Sequence, residues 1–154
     1  MARLEVGVKA PAFTLPNQSG EMVSLSDFDG RRLVLYFYPA DDTPGCTREA
    51  CQFNDELEMI ESLGVTVLGV SPDPPKKHQA FRTKYKLGFD LLSDPDKKVM
   101  AKYGAYGEKI LYGKPVVGVI RSTFIIGSTG RIRHAWYALK TDGHAARVRA
   151  ALEG

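Results

Sequence analysis

The chain has little of what usually staples or metallates a small protein. Its 154 residues include two cysteines and three histidines. His78, His134 and His144 are dispersed, with no ligand-like spacing to the cysteines, so they read as surface or packing residues and no metal is expected. The N-terminal stretch Met1-Ala2-Arg3-Leu4-Glu5-Val6 has no apolar run long enough for a signal peptide or membrane span. A cytoplasmic location follows as the default, and two cysteines in a reducing compartment are poor candidates for a structural staple. Catalytic or redox-sensing use of the thiols gains weight.

Charge of one sign is also scarce. Lys and Arg number 21 against 18 Asp and Glu, a formal net charge of +3, and the signs are mixed. The pairs Arg31-Arg32, Lys76-Lys77 and Lys97-Lys98 are short and separated, which suits solvated surface better than a nucleic-acid patch. No repeat, low-complexity tract or linker breaks the chain. Its length suits one well-filled core, so residues 1–154 are expected to form a single domain.

Apolar patterning outlines the elements. Phe13-Thr14-Leu15 and Val23-Ser24-Leu25 alternate around Asn17-Gln18-Ser19-Gly20, an N-terminal hairpin. Leu33 to Tyr38 is a continuous apolar and aromatic run, as in a central strand covered on both faces. From Cys46 the period turns helical, with Phe53, Leu57 and Ile60 on one face and Gly64 as the stop. Val65 to Val70 reads as a second buried strand. Asp73-Pro74-Pro75 opens a helix carrying Phe81 and Tyr85, and Asp94-Pro95 a shorter one carrying Val99, Met100 and Tyr103. Thr123–Ile126 and Ile132–Trp136 flank Gly127-Ser128-Thr129-Gly130 as a second hairpin, and a last helix starts near Asp142. This order suggests an α/β protein with a mixed central sheet flanked by helices. A thioredoxin-like fold satisfies it, and pattern alone leaves flavodoxin-like folds open.

The most informative span runs from Pro39 to Cys51. Pro39 ends the strand, Thr43 is placed as an N-cap and Pro44 at the first helical position. Cys46 is then the third helical residue, beside unpaired backbone N–H groups and the positive end of the helix dipole. Both favour thiolate over thiol, so its pKa is expected below the free value of about 8.5. Thr43 is expected to accept from the Cys46 amide while donating to the thiolate or to a bound oxygen. Gly45 lets other groups approach closely. A small buried hydrophobe is the ordinary fate of a free cysteine, and a plain cap that of Thr43. The helix start and the companion thiol weigh against both.

Cys51 lies five residues further along the helix. That spacing separates the Cα atoms by roughly 8.7 Å, whereas a disulfide tolerates at most about 6.8 Å. No bond between the two can form while the helix is intact. If the pair reacts, the first turns must unwind.

The segment Phe37 to Cys51, with Pro39, Thr43 and Cys46 in a Pro-x-x-x-Thr-x-x-Cys pattern, resembles the active site of peroxiredoxins of the Q type, or bacterioferritin comigratory protein branch. The likeness runs nearly end to end and includes Ala10–Leu15, Gly69–Asp73, Leu91–Asp94 and Arg121–Ile126. Tyr106 and Gly127 depart from the residues common in that branch. The resemblance implies a thioredoxin-like fold with an N-terminal extension and thiol-based reduction of hydrogen peroxide and organic hydroperoxides. By position, Cys46 would be the peroxidatic cysteine and Cys51 the resolving one. Thr43 and Arg121 would contact thiolate and peroxide, Pro39 would shield the site, and Glu49 would orient Arg121. Neither haem nor another cofactor is implied. Thioredoxin or a similar dithiol is the implied reductant, and a monomer is expected because the partner thiol is intrachain. Two competing readings remain: a thiol–disulfide oxidoreductase acting on proteins, and a non-enzymatic redox sensor.

Overall fold

The structure, a computed structural model, describes residues 3–154. Met1 and Ala2, part of the expected leaderless N-terminus and single domain, lie outside the described residues. Its centre is the expected apolar run, β3 (Arg32–Phe37), in which Leu33 through Phe37 are all buried. One neighbour is β4 (Val65–Ser71), parallel to β3, with β5 (Asp90–Ser93) parallel beyond it. The other is β8 (Ser122–Ile126), antiparallel to β3, with β9 (Ile132–Tyr137) antiparallel at the edge. The sheet order is therefore β5-β4-β3-β8-β9, with β3 buried in the middle.

Alternate residues of β3 feed two cores. Val34 and Tyr36, with Tyr38 just past the strand, pack against α1 (Pro44–Ser62), the Phe81 side of α2 (Pro75–Tyr85) and α4 (His144–Glu153). Leu33, Leu35 and Phe37 pack against α3 (Lys98–Lys102) and the N-terminal segment around Phe13. Both faces are covered, which is why the strand carries no polar alternation. A helix-flanked mixed sheet of this order is the thioredoxin-like architecture expected. The hairpin β1 (Thr14–Pro16) and β2 (Met22–Ser24) forms the N-terminal extension.

Two elements differ from expectation. The short helix begins at Lys98, not at Asp94; the Asp94 carboxylate instead accepts from the amides of Val99 and Met100 at the helix start. Residues 106–119 form a separate hairpin, β6 (Tyr106–Leu111) with β7 (Lys114–Val119), closed by Tyr112 and Gly113. Both turn residues have positive φ, 52° and 76°, the backbone of a tight type I′ turn. The hairpin places Ile110 and Val119 beside Pro39 and Arg121. No helix among the described residues is long and apolar enough to cross a membrane.

Candidate active site

The C-terminal end of β3 delivers the chain into the site. Pro39 is half-buried, Thr43 is the N-cap of α1, Pro44 opens the helix and Cys46 is its third residue. Cys46 is 2% exposed. Arg121, just before β8, reaches across the sheet, and its Nη2 donates to Cys46 Sγ at 3.3 Å while its Nη1 donates to Glu49 Oε1 at 2.7 Å. One planar fork thus holds the sulfur and a carboxylate in fixed relation, which a lysine's point charge would not do. Gly45 explains how the guanidinium gets in. A Cβ there would lie 3.3 Å from Arg121 Nη2.

Burial works against charge on Glu49. Its carboxyl is 1% exposed, and burial raises its pKa from the usual 4.5 to about 7 although Arg121 pulls it down. Glu49 Oε2 has no hydrogen-bond partner, and the buried Tyr36 hydroxyl has none either. Arg121 is itself pulled down by burial, but the charges of Glu49 and Cys46 more than offset that and leave its pKa raised. The guanidinium is a permanent positive charge at the sulfur.

Thr43 departs from the role expected of it. Its hydroxyl donates to the Ala40 carbonyl at 2.9 Å and makes no capping bond. A hydroxyl has a single proton, and a carbonyl three residues back in the same tight turn takes it. Thr43 therefore donates neither to the sulfur nor caps the Cys46 amide. It keeps its lone pairs free, and the first amides of α1 go without a side-chain acceptor, as an anion-receptive helix start requires.

Cys51 lies on the same unbroken helix, and both cysteines are free thiols. Burial and then the Asp55 charge raise the Cys51 pKa, so the folded helix holds this thiol protonated and poorly nucleophilic. Pro39 and Arg121 line an open cavity of about 480 Å³, with Ile110, Val119 and Leu139 as its apolar walls. A larger cavity, about 840 Å³, sits at the opposite end of β3 around Leu33 and Phe28 and holds no group of the site.

The spacing of residues in sequence concealed one constellation. His78 is fully buried, with Nδ1 2.6 Å from Asp41 Oδ2 and Nε2 2.9 Å from the Leu92 carbonyl. His144 is also buried, bonded to Thr123 Oγ1 at 2.9 Å, and burial, with the Arg147 charge, lowers its pKa to about 4. His134 is exposed against Trp136. Packing thus accounts for His144 and surface for His134, whereas His78 binds a carboxylate of the active-site loop.

The fold and this arginine-held cysteine at a helix start fit the AhpC/TSA family, whose profile matches residues 6–135. The chain belongs to that family. A putative peroxiredoxin of Mycobacterium tuberculosis is 54% identical over 147 residues, covering 96% of this chain and 94% of the relative. Peroxiredoxin Bcp of Escherichia coli K12 is 44% identical over 144 residues, covering 94% and 92%. The Xanthomonas campestris bacterioferritin comigratory protein, solved in trapped intermediate and ligand complexes that bear on its alkyl peroxide reduction, superposes with a TM-score of 0.89 at 38% identity, covering 97% and 98%. Within the family, the branch is that of the Q-type, or bacterioferritin comigratory protein, peroxiredoxins.

Proposed function

We propose that this chain is a thiol peroxidase that reduces hydrogen peroxide and alkyl hydroperoxides through Cys46, with Cys51 as its resolving cysteine. The observation that carries the reading is the Arg121 guanidinium bonded to Cys46 Sγ at the open N-terminus of α1. A charge-assisted donor to sulfur binds the thiolate more strongly than the thiol. Attack of the thiolate on the terminal peroxide oxygen forms an S–O bond and breaks O–O. The electron pair leaves on the distal oxygen, which takes a proton and departs as water or an alcohol. Negative charge passes from sulfur to that oxygen along the path Arg121 and the first α1 amides face, so donors already in place stabilise the transfer. Thr43, with its proton held by Ala40, serves as an acceptor for the peroxide's own O–H. Pro39 and the apolar cavity wall restrict water, and Gly45 keeps the approach open for Arg121.

Resolution requires another conformation. With α1 intact, Cys51 is out of disulfide range of Cys46. Unwinding the first turns frees Cys51 from the burial and the Asp55 charge that hold it protonated. Its sulfur then attacks Cys46 sulfenic acid, giving a disulfide and water. A dithiol such as thioredoxin restores both thiols by exchange, becoming oxidised itself. The helix spacing separates this cycle from a protein disulfide oxidoreductase, whose sulfurs meet in the folded state. An intrachain partner thiol fits a monomer, and reduced resting thiols fit the cytosol.

The test is peroxide consumption coupled to thioredoxin and its reductase. Cys46→Ser should abolish turnover. Cys51→Ser should give one oxidation per chain and then stall with thioredoxin. Full steady-state turnover by Cys46→Ser would overturn the reading.

A further inference from the structure

Asp41 stands two residues before Thr43 and belongs to none of the peroxide chemistry above. Its side chain is wholly buried, and so is that of His78 on α2. Asp41 Oδ1 accepts from the Tyr38 hydroxyl at 2.5 Å, Oδ2 lies 2.6 Å from His78 Nδ1, and the Asp41 amide donates to Asp73 Oδ2 at 2.7 Å.

Proton counting constrains this cluster. The Leu92 carbonyl can only accept, so His78 Nε2 carries a hydrogen. A neutral imidazole has no second hydrogen, and an ionised carboxylate has none. Two bare acceptors would not sit 2.6 Å apart in a dry pocket. A proton therefore lies between Nδ1 and Oδ2, whichever atom it is drawn on. The pair is neutral as a unit and holds one proton more than a neutral histidine facing an ionised aspartate. A metal ion is a poor substitute, although Asp41, Asp73 and His78 offer donors within 4.8 Å of one another. A tetrahedral ion sets its nitrogen and oxygen ligands roughly 3.3 Å apart, and the 2.6 Å gap leaves no room.

The loop that this pair holds cannot hold itself. Asp42 has φ of 59°, a left-handed conformation unfavourable for a side chain with a Cβ. Its carboxylate is tied to Tyr85 and Lys84 on α2, while Asp73 is tied to Lys77 and Ser71. The side-chain anchors of residues 41 and 42 thus run to α2, to the residues after β4 and to the end of β3, and none runs to α1. We propose that the Asp41–His78 pair, bridged by one proton, is a positioning latch for the peroxidatic loop. It fixes the Ala40 carbonyl, and through it Thr43, against Cys46, and it stays in place when α1 unwinds so that Cys46 returns to the same position. The role rests on the peroxidase reading; the bridging proton does not.

Two substitutions and one spectrum test it, using the full chain. His78→Phe leaves the Asp41 carboxylate unpaired, and should slow Cys46 oxidation by hydrogen peroxide about tenfold or more, measured by rapid-quench mass spectrometry well below the variant's unfolding midpoint. Asp41→Asn should rescue to within about threefold of wild type, because its amide N–H supplies the proton to Nδ1 and its oxygen still accepts from Tyr38. If His78→Phe does not fold, His78→Gln serves, since its single amide nitrogen cannot reach both acceptors. In proton NMR the wild type should show two slowly exchanging downfield resonances from the His78 ring contacts, apart from the Tyr38 hydroxyl proton, which does not depend on His78. Asp41→Asn should keep the imidazole Nε2 one, and His78→Phe neither. A wild-type rate in the His78 variants, a loss in Asp41→Asn as large as theirs, or a single such resonance in wild type would each overturn the latch. A wild type inert to peroxide would remove the peroxidase reading and the latch's role with it, while the two resonances would still report the bridging proton.

Discussion

Arg121 does two things with one fork, and the smallest residue in the site allows it. Had Gly45 a methyl group, the guanidinium would be the group to give way, because the gap to Nη2 is only 3.3 Å. Gly45→Ala is therefore expected to slow Cys46 oxidation by about tenfold. Alanine gains up to about 1 kcal/mol over glycine within a helix, so the unfolding midpoint should hold or rise. Stopped-flow kinetics beside a thermal melt separate the two effects, and an unchanged rate would refute the steric role. Cys46 and Gly45 were singled out from the segment itself, Pro39, Glu49 and Arg121 came with the family resemblance, and the structure brings the five together. The bond of the Thr43 hydroxyl was not legible, because a one-proton donor chooses between targets that spacing cannot rank. Asp41 and His78 were missed for another reason: 37 residues separate them, and only the packing of α2 on the sheet makes them neighbours. A histidine near no cysteine in sequence gave no signal of this.

At the scale of elements, α1 must satisfy two demands. Phe53, Leu57 and Ile60 are buried in the core and anchor its later turns, while the first two turns carry Cys46 and Glu49, both held by the Arg121 fork. Opening should thus be confined to the segment carrying both cysteines. Forming the Cys46–Cys51 disulfide is expected to cost about two turns of helix, visible as reduced far-UV helical signal on stoichiometric oxidation and reversed by a dithiol. Oxidised protein with undiminished helix and an intrachain bridge would contradict it. Long apolar or strongly periodic elements such as β3 and α1 were readable in the sequence. The four-residue β5 was not, being too short for a period, and neither was the β6–β7 hairpin, whose exposed Ile110 and Val117 break the alternation a half-buried strand would show. Its Tyr112-Gly113 turn lacks the Asn or Asp that usually marks such a bend.

Across the whole molecule, the buried site makes stability depend on pH. Glu49 holds its proton more tightly in the fold, at about 7 against an ordinary 4.5. Its contribution is complete below the ordinary value and is lost as pH rises through about 7. His144, lowered from 6.5 to about 4, has the opposite slope, with its contribution complete above 6.5 and lost as pH falls through 4. Glu49→Gln removes the first slope and leaves the second. Its unfolding free energy under reducing conditions, minus that of wild type, is expected to grow by up to about 3 kcal/mol from acid to mildly alkaline pH. Denaturant titrations at both ends check this, and a constant difference would show that the Glu49 carboxyl titrates alike in the folded and unfolded chains.

The most direct measurement is the second-order rate of Cys46 with hydrogen peroxide in Cys51→Ser, followed by rapid-quench mass spectrometry against glutathione under the same conditions. A sulfur held by Arg121 at an open helix start should react roughly a thousandfold faster or more, giving a sulfenic acid on Cys46 alone. A rate equal to that of glutathione would contradict the account.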